Sequence, residues 1–236
     1  MKKSHIATLI VFFVLIPLTL IVGSRLSGRA FYVTSTLVIV ELLIPFFLAF
    51  EGRRPQAREL VVLAVMCALA VAGRVAIPIP SFKAIFGIIM IAGIAFGPES
   101  GFLVGAISAL ASNFFYSQGP YTPWQMIAYG AGGMLAGFVF AEGRLPRKPV
   151  VMGIFGFLAV AFFVGPLLDT CSVFLVMSRI SIKGAMAFYI SGFPVNLRQA
   201  VATAIVLLVL GKPLLEKLDR IKTKYGILDD EGGKET

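Results

Sequence analysis

The stretch that decides the fold is residues 78–102, PIPSFKAIFGIIMIAGIAFGPESGF. Its apolar centre, at about residues 84–97, is shorter than the roughly 17 to 25 residues with which a helix crosses a bilayer. Two prolines break the chain before it, and Gly97-Pro98 forces a tight turn after it. A helix that ends before the bilayer does leaves space at membrane depth, where irregular backbone is tolerated only beside a cavity or inside protein. The stretch therefore predicts a membrane bundle with a cavity on its outer side.

The composition of the whole chain indicates an integral membrane protein. Of its 236 residues, 58% are hydrophobic and only 14% are charged. A water-soluble domain of this length needs far more polar surface. Apolar runs predict eight membrane helices, at about residues 7–23, 31–50, 59–77, 84–97, 100–116, 123–141, 150–177 and 188–211. We therefore predict an all-α fold that spans the membrane several times.

The basic residues predict how the chain is oriented. If the N-terminus is inside, fourteen of the 21 Lys and Arg residues lie in segments on the cytoplasmic side. This bias is the one that the positive-inside rule describes, so both termini are predicted to be cytoplasmic. The net charge of +9 is explained by basic residues that would contact anionic lipid headgroups, so it requires no nucleic-acid partner.

The segment EGRRPQARE, residues 51–59, is the clearest internal boundary because it places a proline and three arginines between two apolar runs. It divides the chain into four predicted parts: an N-terminal transmembrane hairpin (1–52), a cytoplasmic linker (53–58), a six-helix membrane core (59–212) and a cytoplasmic tail (213–236). The tail is predicted to begin with an amphipathic helix at the membrane interface.

Small residues recur at helical spacing in the core. Ala64, Ala68 and Ala72 form one smooth stripe on the third predicted span. Such a stripe lets another helix approach closely. It fits either a helix contact within this protein or a docking face for a separate membrane subunit. Similar spacing recurs in two later spans, at Gly101, Gly105, Ala109, Gly133 and Gly137.

The densest group of uncharged polar and aromatic residues is NFFYSQGPYTPWQM, residues 113–126. Thr122, Pro123 and Gln125 predict the start of a helix with a capping box, in which Thr122 is the N-cap. The other members fit a pocket for a neutral or mixed-polarity organic ligand, or an ordinary aromatic belt at the membrane interface. The candidate ligand-binding residues here are Asn113, Tyr116, Gln118, Tyr121, Trp124, Gln125 and Tyr129.

Four further candidates are Lys83, which stands beside the short span, and Asp169, Asn196 and Arg198, which lie at the same predicted depth as this stretch. A charged group within a span costs roughly 2.5 to 3.5 kcal/mol on insertion scales, so it usually faces a partner or a watery cavity. An ion pair of Asp169 with Arg198 or Arg74 is the alternative to ligand binding.

No catalytic motif is present in the sequence. The single histidine is His5, and neither a phosphate-binding loop nor a metal-ligand motif occurs. We therefore expect a protein that is not an enzyme and has no intrinsic cofactor or metal, and whose energy source belongs to other chains.

The order of the motifs resembles the substrate-binding S component of energy-coupling factor (ECF) vitamin transporters. The likeness runs from Arg58 to about Lys212 and is carried by the short span, by FGPESGFLVGAISALASNFF (96–115), by QGPYTPWQM (118–126) and by GAGGMLAG (130–137). It implies a six-helix binding protein in a bacterial cell membrane, associated with a transmembrane coupling subunit and two cytoplasmic ATPases. It also implies that Ala64, Ala68 and Ala72 dock on the coupling subunit, and that outer loops at about 78–83, 116–123 and 179–194 cover the vitamin.

The mechanism that the resemblance implies is import. The S component binds its substrate facing out, rotates in the bilayer and releases the substrate inward, driven by ATP hydrolysis on its partners. The segment 118–126 is most similar to members with cobalamin-type substrates, so cobalamin is the favoured vitamin. The two additional N-terminal spans depart from the family pattern. The alternative is a self-sufficient secondary transporter of a small organic solute, but such proteins usually show internal repeats and paired buried acidic residues, and this sequence shows neither.

Overall fold

The computed structural model describes residues 57–140, 143–177 and 181–226, together with isolated positions between 14 and 44. All regular secondary structure in the three continuous ranges is helical. It consists of α1 (Ala57–Val75), α2 (Ile85–Phe96), α3 (Pro98–Tyr116), α4 (Thr122–Phe140), α5 (Pro149–Val176) and α6 (Ile182–Tyr225). Each of the six predicted core spans falls on one of these helices. Most of the predicted N-terminal hairpin lies outside the described residues, and so do all of residues 227–236 of the tail.

Helices α5 and α6 are the longest, and both are long and apolar enough to cross a membrane. Each contains a short π-helical stretch, Val160–Val164 in α5 and Leu207–Gly211 in α6. Helix α6 extends the predicted span of 188–211 at both ends. It begins early because the side chain of Ser181 caps it, accepting a hydrogen bond from the Gly184 amide at 3.1 Å. The predicted outer loop at 179–194 is therefore wrong for residues 182–194, which are helical.

Helix α2 is the centre of the bundle. All twelve of its residues, from Ile85 to Phe96, are buried. At about 1.5 Å per residue it is roughly 18 Å long, well short of the ~30 Å hydrocarbon thickness of a bilayer. The prediction of a short span is confirmed, and its complete burial explains why the sequence there has no polar face.

The turn after α2 depends on Gly97. This residue has φ 94°, and its amide donates to the Gly93 carbonyl at 2.9 Å. A positive φ is easily adopted only by glycine, and Pro98 then occupies the first turn of α3. The predicted tight turn at Gly97-Pro98 is confirmed, and it sets α3 back alongside α2.

Helices α3 and α4 approach each other through glycine. A Cβ atom built on Gly101 would lie 2.5 Å from the Gly133 carbonyl oxygen, and one built on Gly105 would lie 2.5 Å from the backbone carbon of Tyr129. Both distances are far inside van der Waals contact, so the backbones of the two helices touch. The close packing predicted from the small residues is confirmed.

Two ends of the bundle can be distinguished. The upper end holds the connections at residues 76–84 and 117–121, the C-terminal end of α5 and the N-terminal end of α6, and the lower end holds the turn at Gly97, residues 143–148 and the C-terminal part of α6. At the lower end Lys222 donates to the Ala95 carbonyl at 2.7 Å and Arg147 donates to the Ile94 carbonyl at 3.2 Å. These cations satisfy carbonyls in the last turn of α2, which has no further helical turn to bond them.

The alanine stripe lies on the surface. Ala64, Ala68 and Ala72 are all exposed on α1, so the interpretation as a helix contact within the described bundle is wrong. Ala68 and Ala72 line an apolar groove of about 490 Å³, whose other wall includes Ala111 and Phe115 of α3.

We expect Gly101→Ala to lower the stability of the purified protein in detergent. The added methyl group would meet the Gly133 carbonyl, and overpacking of this kind typically costs about 1–3 kcal/mol. The measurement is the midpoint of thermal unfolding. Ala64→Val is the control, because it enlarges an exposed position of α1 and should leave the midpoint nearly unchanged. Equal midpoints for Gly101→Ala and the unmodified protein would contradict the close helix contact.

Candidate binding cavity

A cavity of about 600 Å³ lies at the upper end of the bundle. Its walls come from the C-terminal ends of α1, α3 and α5, the N-terminal ends of α2 and α4, and the N-terminal half of α6. It lies above the N-terminal end of α2, where this short helix stops within the bundle, as the short span predicts. Tyr116 at one side of the cavity is 44% exposed and Val176 at another is 68% exposed, so the cavity opens toward the upper surface.

Two cations and two phenol rings form one side of the cavity. The Arg74 guanidinium lies 4.9 Å from the ring centre of Tyr116 and 5.6 Å from that of Tyr129, and the Lys83 ammonium lies 5.9 Å from the ring of Tyr116. Cation–π attraction at these distances orders the side chains. The ring of Tyr129 also packs edge-on against Phe86, with 4.6 Å between ring centres.

Asn113 holds this side of the cavity in place. Its side chain is completely buried. Its Oδ1 accepts from Arg74 Nη1 at 2.9 Å, and its Nδ2 donates to Gln125 Oε1 at 2.8 Å and to Thr122 Oγ1 at 3.1 Å. The same Arg74 nitrogen donates to the Ser112 hydroxyl. Asn113 does not itself line the cavity, but it joins Arg74 of α1 to Gln125 of α4, and both of these do.

The predicted capping box does not form. The Thr122 hydroxyl accepts from Asn113 and from the Gly119 amide at 3.2 Å, and it donates to Gln118 Oε1 at 2.9 Å. The Gln125 side chain is bonded to Asn113 rather than to the start of its own helix. The side chains that a capping box would use are instead part of the network around Asn113.

The opposite side of the cavity carries a carboxylate and an amide. Asn196 Nδ2 of α6 donates to Asp169 Oδ2 of α5 at 2.7 Å. The alternative of an ion pair with Arg198 or Arg74 is wrong for the described residues, because Arg198 is exposed and donates to the Pro194 carbonyl at 3.2 Å, whereas Arg74 is bonded to Asn113.

A comparison with protein families decides what kind of protein this is. The family model described as "ECF-type riboflavin transporter, S component" matches residues 55–216. The chain belongs to this family. No curated protein and no solved structure matches the chain. As an S component the protein is a substrate-binding subunit of a membrane transporter, and the matched range contains every residue that lines the cavity.

The structure brings most of the predicted site residues of this S component together. Seven of them line the cavity: Lys83, Tyr116, Tyr121, Gln125, Tyr129, Asp169 and Asn196.

Four predicted residues lie elsewhere. Asn113 is behind the wall, and Arg198 is outside the cavity on the exposed side of α6. Gln118 is exposed and donates to the Leu110 carbonyl at 2.9 Å. The ring of Trp124 packs against Phe174 of α5 at 5.4 Å, and its Nε1 is buried without a hydrogen-bond partner among the described residues.

Sequence reasoning missed Gln199 and considered Arg74 only as an ion-pair partner, although both line the cavity. A signal for Gln199 was present in the spacing. It follows Asn196 by three residues, and residues three apart share a helix face.

Several polar atoms in the cavity have no protein partner among the described residues. Gln199 Oε1 is buried and unpaired. Tyr129 is only 4% exposed, and its hydroxyl makes no hydrogen bond within that part of the chain. Buried polar groups are nearly always satisfied by protein, water or a ligand. The cavity of this S component is therefore equipped to bind a polar small molecule.

We expect Asn113→Ala to reduce the free energy of unfolding by about 1–3 kcal/mol, the usual cost when buried polar partners lose their hydrogen bonds. Arg74, Thr122 and Gln125 would each lose one bond. The measurement is thermal or denaturant unfolding in detergent. Phe114→Ala is the control from the same segment, and because the Phe114 side chain is 76% exposed and outside the network we expect a clearly smaller change. A change for Asn113→Ala no larger than that of the control would contradict the network.

Proposed function

We propose that this S component captures a water-soluble vitamin in the upper cavity and delivers it inward together with a separate ATPase module. The observation that carries the proposal is the cavity of about 600 Å³, within the ~300–1,000 Å³ typical of pockets for small organic ligands. Its walls combine aromatic rings, two cations and amides with unpaired polar atoms, which suits a ligand that stacks on rings and accepts or donates hydrogen bonds.

The proposed orientation places the cavity outside the cell. Arg147, Lys212 and Lys222 lie at the lower end of the bundle, away from the cavity. Basic residues are concentrated on the cytoplasmic side of membrane proteins, so the lower end faces the cytoplasm. In this orientation both termini are on the cytoplasmic side of a bacterial plasma membrane. The cavity opens on the other side, toward nutrients outside the cell.

Riboflavin is the first candidate ligand. The description of the matched family supports it, and its chemistry suits the cavity. The flavin ring is flat and carries carbonyl acceptors at one edge, which suits a surface of phenol rings beside the donors of Arg74 and Lys83. Its ribityl chain supplies hydroxyl groups, which suit the acceptors Asp169 and Gln199.

Cobalamin, which the sequence favours, is the second candidate. The observation in its favour is the set of amide side chains in the cavity, Gln125, Asn196 and Gln199, since amides pair well with the amide arms of a corrinoid. A corrinoid is much larger than a flavin, so it would have to extend through the open mouth beside Tyr116 and Val176.

The proposed partners are an ECF transmembrane coupling subunit and two cytoplasmic ATPases, with ATP hydrolysis confined to the latter. The exposed stripe of Ala64, Ala68 and Ala72 is the proposed docking surface for the coupling subunit. An apolar groove bordered by small side chains suits a helix of another membrane protein, because in lipid such contacts depend on close packing. No intrinsic cofactor or enzymatic step is assigned to this chain.

We expect the purified protein to bind riboflavin or cobalamin, and Tyr129→Leu to weaken that binding several-fold. Ring stacking is typically worth about 0.5–1.5 kcal/mol beyond the area that it buries, and Tyr129 lines the cavity. The measurement is titration by calorimetry or flavin fluorescence, with mass spectrometry of any small molecule that co-purifies. Trp124→Phe is the control, because Trp124 lies outside the cavity against Phe174. Binding of neither vitamin by the unmodified protein would reject both candidates.

We expect Ala68→Leu to abolish association with the coupling subunit while leaving vitamin binding by the isolated protein intact. The larger side chain would fill the groove that Ala68 lines. The measurement is co-purification with the coupling subunit and ATPases, followed by uptake in proteoliposomes. Ala187→Leu makes the same change at an exposed position of α6 and should have no effect. Uptake by this chain alone, without ATPases, would instead support the alternative of a secondary transporter.

A further inference from the structure

The cavity has two chemically different sides, and the difference predicts how a ligand is oriented in it. One side, which we call the donor side, consists of Arg74 and Lys83, both of which lie near the ring of Tyr116. The other, which we call the acceptor side, consists of Asp169 of α5 and Gln199 of α6. No described Lys or Arg forms an ion pair with Asp169. The positive charges of the donor side therefore do not pair with the carboxylate of the acceptor side.

The donor side has hydrogen-bond donors to spare. Arg74 makes both of its hydrogen bonds through Nη1, so Nε and Nη2 donate to no acceptor in the described part of the chain. Lys83 uses its ammonium group to donate to the Ile77 carbonyl, and an ammonium group has three donors. Neither side chain can accept a hydrogen bond. A ligand group on this side must therefore supply acceptors or negative charge.

The acceptor side has the opposite character. Asp169 Oδ2 accepts from Asn196, but Oδ1 accepts from no donor within the described residues. Gln199 Oε1 is buried and unpaired there as well. A carboxylate is an acceptor only. A ligand group that faces Asp169 must therefore supply O–H or N–H donors, and a second negative charge there would meet the carboxylate directly.

Two glycines leave room for the side chains of Asp169 and Asn196. A Cβ atom on Gly192 would collide with the Asp169 carboxylate, and one on Gly165 would collide with the Asn196 amide. Glycine at these positions lets α5 and α6 enclose the pair without displacing it. The Asp169 carboxylate therefore lies against the backbone of Gly192 and accepts a hydrogen bond from Asn196 at 2.7 Å.

We propose that Asp169 is a specificity-determining residue that binds the donor-bearing end of the substrate, while Arg74 and Lys83 bind its acceptor-rich or anionic end. The proposal rests on the cavity being the substrate site, as argued above. It defines the substrate class as molecules with acceptors at one end and hydroxyl or N–H donors at the other. Molecules with negative charge at both ends are excluded, because one end would face the carboxylate without a counter-ion.

The first test measures the polarity of the cavity without any vitamin. In the full-length protein with Cys67→Ala and Cys171→Ala, a single cysteine is introduced by Ser172→Cys, one turn from Asp169, or by Tyr116→Cys beside Lys83. Each thiolate is modified with aminoethyl or sulfonatoethyl methanethiosulfonate, which forms a mixed disulfide and releases methanesulfinate. Rates are divided by those of free cysteine with the same reagent.

We expect the cationic reagent to be favoured by about tenfold at position 172 and the anionic reagent to be favoured at position 116. The reason is that a cleft lined by charge of one sign raises the encounter rate of oppositely charged molecules by roughly 10- to 1,000-fold. Adding Asp169→Asn should abolish the preference at 172 and leave that at 116. Adding Arg198→Gln, an exposed charge outside the cavity, is the control and should change neither. Equal rates at the two positions, or a preference at 172 that survives Asp169→Asn, would overturn the proposal.

The second test uses riboflavin as the ligand. We expect Asp169→Asn to raise its Kd about tenfold or more, because hydrogen bonds to charged groups are stronger than neutral ones, whereas Arg198→Gln should leave the Kd unchanged. An unchanged Kd for Asp169→Asn would overturn the role of Asp169 even if riboflavin is the substrate. Absence of riboflavin binding by the unmodified protein would count against that vitamin alone, since the reagent rates still decide the polarity of the cavity.

Discussion

A guanidinium held among apolar helices is the constraint on which the binding end of the molecule depends. Arg74 stands at the C-terminal end of α1, and a charge at such depth is tolerated only if it is satisfied by partners or by water. Ser112, Asn113 and the two phenol rings satisfy part of it. The arrangement ties α1, α3 and α4 together through side chains. These contacts use only one nitrogen of the guanidinium, and Arg74 lines the cavity.

The cavity follows from how the lower part of the bundle packs. Gly101 and Gly133 bring the backbones of α3 and α4 into contact, and α2 is enclosed on all sides because every one of its residues is buried. Helix α2 begins only at Ile85, so above it the surrounding helices enclose space rather than side chains. The tight packing below and the late start of α2 above therefore produce the cavity together. Both involve the stretch at residues 78–102.

The sequence predicted the helices better than the side chains that face the cavity. Apolar runs and the glycine-proline turn located the core spans because burial in a membrane protein demands such runs. The direction of a side chain depends on about 100° of rotation per residue, which composition does not reveal. Thus Gln125 lines the cavity while its neighbour Trp124 packs on α5. Asn113 was predicted in the right region, but its hydrogen bonds run to other protein groups rather than into the cavity. Only the three-dimensional structure distinguishes these two arrangements.

The polar C-terminal segment is part of the bundle rather than an appendage to it. The predicted boundary at residue 212 falls inside α6, which continues without a break to Tyr225. Lys222 reaches across to the Ala95 carbonyl, and Leu215 and Leu218 are buried. A truncation at the apparent edge of the membrane domain would strip these side chains away and leave the last turn of α2 with an unmet carbonyl in an apolar setting. Shortened versions of the protein must therefore retain the chain through Tyr225.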